Sequence, residues 1–201
     1  MPKFDPKVKM LFLAHSIYWM GQKLVQPFLA IFFINELDGM SLTKIGTATL
    51  IFYLTSGTAE PLFSFLEEKI KGLEDEAMFV IGGYFLRGIA FLLFMFSSNY
   101  WHLYLFYFVL GLAYAMYSAA DKTIFAEISR KKGHASTFLW GADDSVILLS
   151  SALGAFLGGH LTNIYGIRIF IGVTGVFIIV AGIVYYMALK QLRKDKIWKG
   201  F

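Results

Sequence analysis

The sequence predicts an all-α membrane protein of six transmembrane helices, and three observations predict it. First, six apolar runs follow one another with little between them, near 9–33, 43–66, 76–97, 101–128, 137–163 and 168–189. Each is about 20 residues or longer, enough to cross the hydrocarbon core of a bilayer. Second, lysine and arginine collect in alternate connections. One set holds Lys3, Lys7, Lys9, Lys69, Lys71, Arg130, Lys131, Lys132, Lys190, Arg193, Lys194, Lys196 and Lys199; the other holds Lys44 and Arg168. Thirteen against two, all in short segments, is a positive-inside bias that places both termini in the cytoplasm. An even number of spans requires the same. Third, 57% of residues are hydrophobic, 18% aromatic and only 16% charged, a balance suited to lipid as solvent rather than water. A barrel strand needs about 10 alternating residues, and these runs are about twice that, so they read as helices. The expectation is one six-span membrane domain over 1–201, with a basic cytoplasmic tail at 190–201, in a plasma or inner membrane.

Span one is too long for a secretory signal and lacks a small-residue cleavage site, so it reads as a retained span. His15, Tyr18, Trp19, Gln22 and Gln26 recur at intervals of three and four along one face. Lys23 falls near the midplane. Pro27 cannot donate to the carbonyl of Lys23, which predicts a bend. Span two repeats the pattern with Tyr53, Gly57, Glu60 and Ser64, and Pro61 frees the carbonyl of Gly57. Span three carries Arg87 near the midplane. Span four opens with Tyr100, Trp101, His102 and Tyr104, aromatic groups that settle at an interface, and Trp198 in the tail offers the same inside. It then bears a stripe of Tyr107, Gly111, Tyr114, Ser118 and Asp121, followed by Lys122. Span five holds Asp143 and Asp144, then Ser150, Gly154, Gly158 and Gly159, a spacing of small residues that lets another backbone approach.

A charge near the bilayer centre costs about 2.5–3.5 kcal/mol on insertion scales, so each must face protein or water. Lys23, Glu60, Arg87, Asp121, Lys122, Asp143 and Asp144 all lie within spans. Glu60, Asp121 and Asp144 each sit roughly six residues, or about 9 Å, to the cytoplasmic side of their span centres. Three helices thereby bring carboxylates to one level, with Lys122 as the internal counter-ion. Carboxylates crowded with too few cations in a low dielectric are a setting for a proton carrier. The same groups also fit a charge network that locks helices together. The polar stripes likewise admit two readings, a water-accessible pathway lined by Trp19, Gln22, Lys23, Gln26, Tyr53, Tyr107, Tyr114 and Ser118, or hydrogen bonding between packed helices.

Several classes are excluded or disfavoured. The net charge of +4 is spread over loop ends and a tail, so its partners are anionic headgroups and not nucleic acid. There is no cysteine, hence no disulfide or thiolate metal site, and His15, His102, His134 and His160 lack ligand spacing. No cofactor is implied. A membrane enzyme fits poorly, because Asp143 and Asp144 point about 100° apart on one helix and no Gly-x-Ser-x-Gly or phosphate-binding loop is present.

With these pieces placed, the chain resembles the amino-terminal six-helix half of a major facilitator superfamily transporter. Ser150-x-x-x-Gly154-Ala155-x-x-Gly158-Gly159 is similar to the family's glycine-rich pattern associated with antiporters, with Ala155 in place of its proline. Tyr165-Gly166-Ile167-Arg168-Ile169-Phe170 resembles the turn into the sixth helix; Ser118-Ala119-Ala120-Asp121 and Ala126-Glu127, before Arg130 to Gly133, resemble the end of the fourth. The loop signature between spans two and three is reduced to Glu67-Glu68-Lys69-Ile70-Lys71-Gly72, with Ser64 for a glycine. Tyr107 stands where proton-driven exporters carry an arginine.

The resemblance implies a secondary transporter of a small solute working by alternating access. Family members pair two such halves about a pseudo-two-fold axis along the membrane normal. Six spans return the chain to its starting side, so two copies inserted in parallel would rebuild that arrangement as a homodimer. In it Glu60, Asp121, Lys122, Asp143, Asp144 and Arg87 would serve proton coupling or a charge network. Two alternatives are a non-transporting assembly or signalling subunit, and one half of a split transporter whose second half is a separate chain.

Overall fold

The computed structural model describes residues 4–69, 73–132 and 136–192, and its long elements are all helices. They are α1 (Pro6–Val25), a 3-10 turn at Gln26–Phe28, α2 (Leu29–Glu36), α3 (Leu42–Lys69), α4 (Leu73–Phe94), α5 (Tyr100–Lys132), α6 (Ser136–Tyr165) and α7 (Ile167–Leu192). The cations Lys3, Lys71, Arg193, Lys194, Lys196 and Lys199, together with Ile70, Gly72, Gly133, His134 and Trp198, lie outside the described residues. So do the side chains of Glu68, Lys131 and Lys132.

Local chemistry sets the helix ends. The Asp5 carboxylate accepts the Lys7 backbone N–H at 2.8 Å, satisfying one of the donors that a helix start leaves open, and Pro6 fits the first turn. At Pro27 the α-helix gives way to the 3-10 turn, so α1 and α2 form one broken span, Pro6–Glu36. At Pro61 the helix continues without a change of class. Between α6 and α7 the chain reverses at Gly166, whose φ of 85° belongs to glycine. Its N–H donates to the Thr162 carbonyl at 3.0 Å.

Among the described residues five segments are long and apolar enough to cross a membrane: Pro6–Glu36, Ala77–Phe94, Tyr100–Arg130, Thr137–Tyr165 and Ile167–Leu192. The remaining long helix, α3, has 28 residues but is diluted by Thr43, Thr47, Thr49, Thr55, Thr58 and Glu60. It packs along α5 as a full-length member of the bundle.

The helices pack in the order α3, α5, α4, α7, α1, α6, a crescent with α3 and α6 at its two ends and α5 touching α6 across it. Two wings of three helices repeat one plan: α5 lies between α3 and α4, α1 lies between α6 and α7, and α4 meets α7 where the wings join. Missing side chains make the closest seams. A Cβ on Gly154 or Gly158 of α6 would strike the backbone carbonyls of Met20 and Leu24 on α1. At the junction, a Cβ on Gly88 would come within 2.9 Å of the Gly175 carbonyl oxygen, and one on Gly175 within 2.6 Å of the Gly88 oxygen. Large apolar side chains such as Leu149, Leu153 and Phe156 cover the outside, as lipid contact requires.

The two cations of the sparse set are held at the same end of the bundle. Arg168 donates to the carbonyls of Met95 and Ser97 at 3.1 and 2.8 Å and reaches Glu36 at 3.3 Å. Lys44 donates to the Gly39 carbonyl and lies over the Tyr100 ring. Together with the bridge between Asp38 and Asn99, these contacts clasp the turns opposite the basic end.

Candidate functional site

The ionisable groups divide into a buried trio, an exposed pair and three singles. At the centre of the trio is His15 of α1, 3% exposed. Its Nδ1 stands 2.8 and 3.0 Å from the two carboxylate oxygens of Asp143 on α6, and its Nε2 stands 3.3 Å from Asp121 Oδ1 on α5. The Tyr185 hydroxyl of α7 donates to the same Asp121 oxygen at 2.6 Å. Phe125 stacks on the imidazole at 5.2 Å between centroids, and Tyr185 tilts over it at 5.9 Å. Four helices thus close around one ring. Asp143 is 3% exposed, whereas the Asp121 side chain is 18% exposed, so Asp121 is the member that opens outward.

The hydrogen-bonding capacity of imidazole constrains this trio. A neutral ring has one donor nitrogen and one acceptor nitrogen, while a carboxylate can only accept. Two carboxylates and one ring therefore satisfy both contacts only when the trio holds an extra proton, on the ring or on one acid. The arrangement offers a place for one proton where α1, α5 and α6 meet.

The wings distribute these contacts unequally. His15 and Asp143 belong to helices of the same wing, α1 and α6, held at fixed separation by Gly154 and Gly158. His15 and Asp121 lie across the two wings. So does the bond from the Tyr18 hydroxyl to that of Tyr117, at 3.1 Å. Tyr84 stacks on Tyr18 at 4.7 Å and touches the rings of Tyr117 and Tyr185. A layer of tyrosines therefore links α1 and α5 across the wings, whose backbones meet closely at α4 and α7.

Of the residues singled out in the sequence, Asp121 and Asp143 come together through His15, and Glu60 and Lys122 come together directly at 3.2 Å. Lys122 is thus joined to Glu60, and the cation beside Asp121 is the histidine. Asp144 is exposed on α6 and makes no ion pair or hydrogen bond among the described residues. Arg87 is 5% exposed, with its guanidinium 5.8 Å from the Tyr18 ring, and its Nε and Nη1 find no partner among the described residues. The buried Oε1 of Gln22 is likewise unpaired. Lys23 lies 5.8 Å from the Trp19 ring. Trp19, Tyr107 and Tyr114 are half-buried, Ser118 is buried, and Gln26 and Tyr53 are exposed. Ser150 is half-buried, and Gly159 faces the Phe28 ring.

Sequence reasoning placed His15 on a polar stripe without giving it a partner, and it passed over Tyr185, Tyr84 and Tyr117. A signal for the first was present. Asp143 and Gly154 are eleven residues apart, three full turns, so the acid shares the face that the small residues press against span one. An apolar groove of about 360 Å³ between α4 and α5, lined by residues such as Leu93, Phe96 and Leu105, holds none of these ionisable groups.

A sequence model of the Major Facilitator Superfamily matches residues 11–199. No curated protein matches the chain.

Proposed function

The chain belongs to the major facilitator superfamily, a family of membrane transporters, and from that premise we propose that it is a secondary active carrier of a small solute, coupled to protons through Asp121, His15 and Asp143. The observation that carries this reading is the single imidazole held between carboxylates of two other helices. Asp121 is the entry point, because it alone of the three is partly open. His15 passes the proton inward, and Asp143, fixed within the same wing, is the inner acceptor. Relative movement of the wings lengthens the contact between His15 and Asp121 while leaving that with Asp143 intact, so conformation and proton position change together.

The carrier works as a parallel homodimer with both termini cytoplasmic. Support comes from Lys23, Gln26, Tyr53, Glu60, Lys122 and Asp144, polar groups within the spans that are partly or wholly exposed. A charge facing hydrocarbon costs about 2.5–3.5 kcal/mol, so these groups call for water or a second bundle beside them. The wet space between two crescents is where Trp19, Lys23, Tyr107 and Tyr114 receive solute, and the alternating exposure of that space is transport.

Two measurements test the reading. In proteoliposomes with an internal pH dye, the wild-type chain moves protons when a solute gradient is applied, and Asp121→Asn does not. Single cysteines at Gln26 and Tyr114 in the cysteine-free chain react with an impermeant maleimide from either side of the membrane. Reaction from neither side, with no proton movement in any solute gradient, would leave a non-transporting membrane subunit as the correct description.

A further inference from the structure

Two buried polar side chains, one on each wing, lack a partner and stand at one level. Arg87 of α4 is 5% exposed and Gln22 of α1 is 8% exposed. Nε and Nη1 of the first and Oε1 of the second make no hydrogen bond among the described residues. Both spans run from the basic end towards the clasp, where Glu36 and the carbonyls of Met95 and Ser97 meet Arg168. Tyr18 and Tyr84 stack on each other at 4.7 Å; Gln22 lies four residues beyond Tyr18, and Arg87 three beyond Tyr84. Each therefore sits one turn past the same stacked pair, and their heights differ by only about 1.5 Å.

The surroundings of the guanidinium select what it can hold. It lies 5.8 Å from the Tyr18 ring, and Tyr107 and Tyr117 of α5 are within its electrostatic reach. The nearest buried acids are committed elsewhere, since Asp121 and Asp143 both bond to His15. A buried charge without a partner is costly, so the site favours an incoming anion. Arginine keeps its charge and presents a planar fork of donors that matches an oxyanion two bonds at a time. The Gln22 amide, whose oxygen and nitrogen exchange places by a half-turn, adds an N–H from the opposite wing. One enclosed cation offsets one negative charge; a dianion would bring a second into a low dielectric.

We propose that Arg87 and Gln22 bind the carboxylate of a monoanionic organic solute, the remainder of which lies against the tyrosine layer and Trp19, whose ring meets that of Tyr18 edge-on at 5.5 Å. Bound there, the carboxylate ties α1 to α4 across the wings. This inference rests on the carrier reading above and names its substrate class, and the experiment separates the two.

The probe is sodium benzoate, added to the purified chain at constant ionic strength, with sodium phosphate and benzylamine hydrochloride as the dianionic and cationic counterparts. Benzoate raises the thermal midpoint in a saturable way, and the other two leave it unchanged. Arg87→Gln abolishes the rise, and Arg87→Lys, which keeps the charge without the fork, raises the half-saturating concentration at least tenfold. Gln22→Leu, of similar volume, raises it at least threefold; an unchanged value in that variant overturns the paired site even if Arg87→Gln fails to fold. A rise that survives Arg87→Gln but vanishes in Lys23→Gln, or one given by benzylamine or phosphate and not by benzoate, overturns the assignment. Maleimide labelling of positions 26 and 114 without any benzoate effect keeps the carrier and removes this site. A benzoate effect lost in Arg87→Gln, with labelling from neither side, keeps the site and removes the carrier.

Discussion

At the scale of single residues, His15 carries the largest consequence. Replacing it by alanine leaves Asp143, 3% exposed, without its cation. Breaking a buried pair on one side costs about 3–5 kcal/mol, so His15→Ala is expected to lower the thermal midpoint in detergent sharply. Adding Asp143→Asn should recover part of the loss, because the stranded charge is then gone, and additive effects in that double-mutant cycle would contradict the geometry. Tyr185→Phe removes one hydrogen bond to Asp121 and should cost about 1–2 kcal/mol. The acids were legible in the sequence as misplaced charges. The sequence pattern grouped Asp144 with Glu60 and Asp121, whereas Asp143 is the acid that meets His15 and Asp144 is exposed; neighbours on a helix differ by about 100°, and rotation about the helix axis fixes the choice. That rotation is set by Gly154 and Gly158 against Met20 and Leu24.

At the scale of elements, the seam between α6 and α1 leaves no room for a side chain. Gly158→Val forces carbons into the Leu24 carbonyl, and overpacking of this kind costs about 1–3 kcal/mol or more. The expected outcome is a reduced monodisperse fraction on size-exclusion chromatography, with Gly57→Ala, which meets open space, close to wild type. Gly166→Ala puts a Cβ at a φ of 85° and should cost about 1–2 kcal/mol, read as a fall in thermal midpoint. The small-residue spacing on span five announced a close approach, but the identity of the opposing helix was absent from it. The two prolines read alike in sequence and behave differently: the helix class changes at Pro27 and persists through Pro61. Proline removes one donor in either case, and the surroundings decide how the chain absorbs the loss.

At the scale of the whole molecule, the crescent and its two wings explain why ionisable side chains survive inside apolar helices. The buried ones meet at the junction of the wings, and the large exposed apolar side chains are mostly leucine, isoleucine and phenylalanine. The proposed orientation is tested by labelling. Cysteines at Lys9 and Lys190 should react with an impermeant reagent only from the cytoplasmic side, and cysteines at Ser41 and Asn163 only from the opposite side. Opposite behaviour of positions 9 and 190 would remove the parallel dimer together with the topology.

The amino-acid sequence by itself determined a helical membrane bundle of the major facilitator type, since the length and apolarity of a run, the periodicity within it and the glycine pattern of span five are properties of neighbours along the chain. The tertiary structure alone decided that Asp121 and Asp143 share His15, that Lys122 goes to Glu60, and that Asp144 and Arg87 have no hydrogen-bond or ion-pair partner among the described residues. Those pairings join residues as many as 128 positions apart. They depend on the order in which helices pack and on the angle through which each is turned, and many distant side chains together fix both.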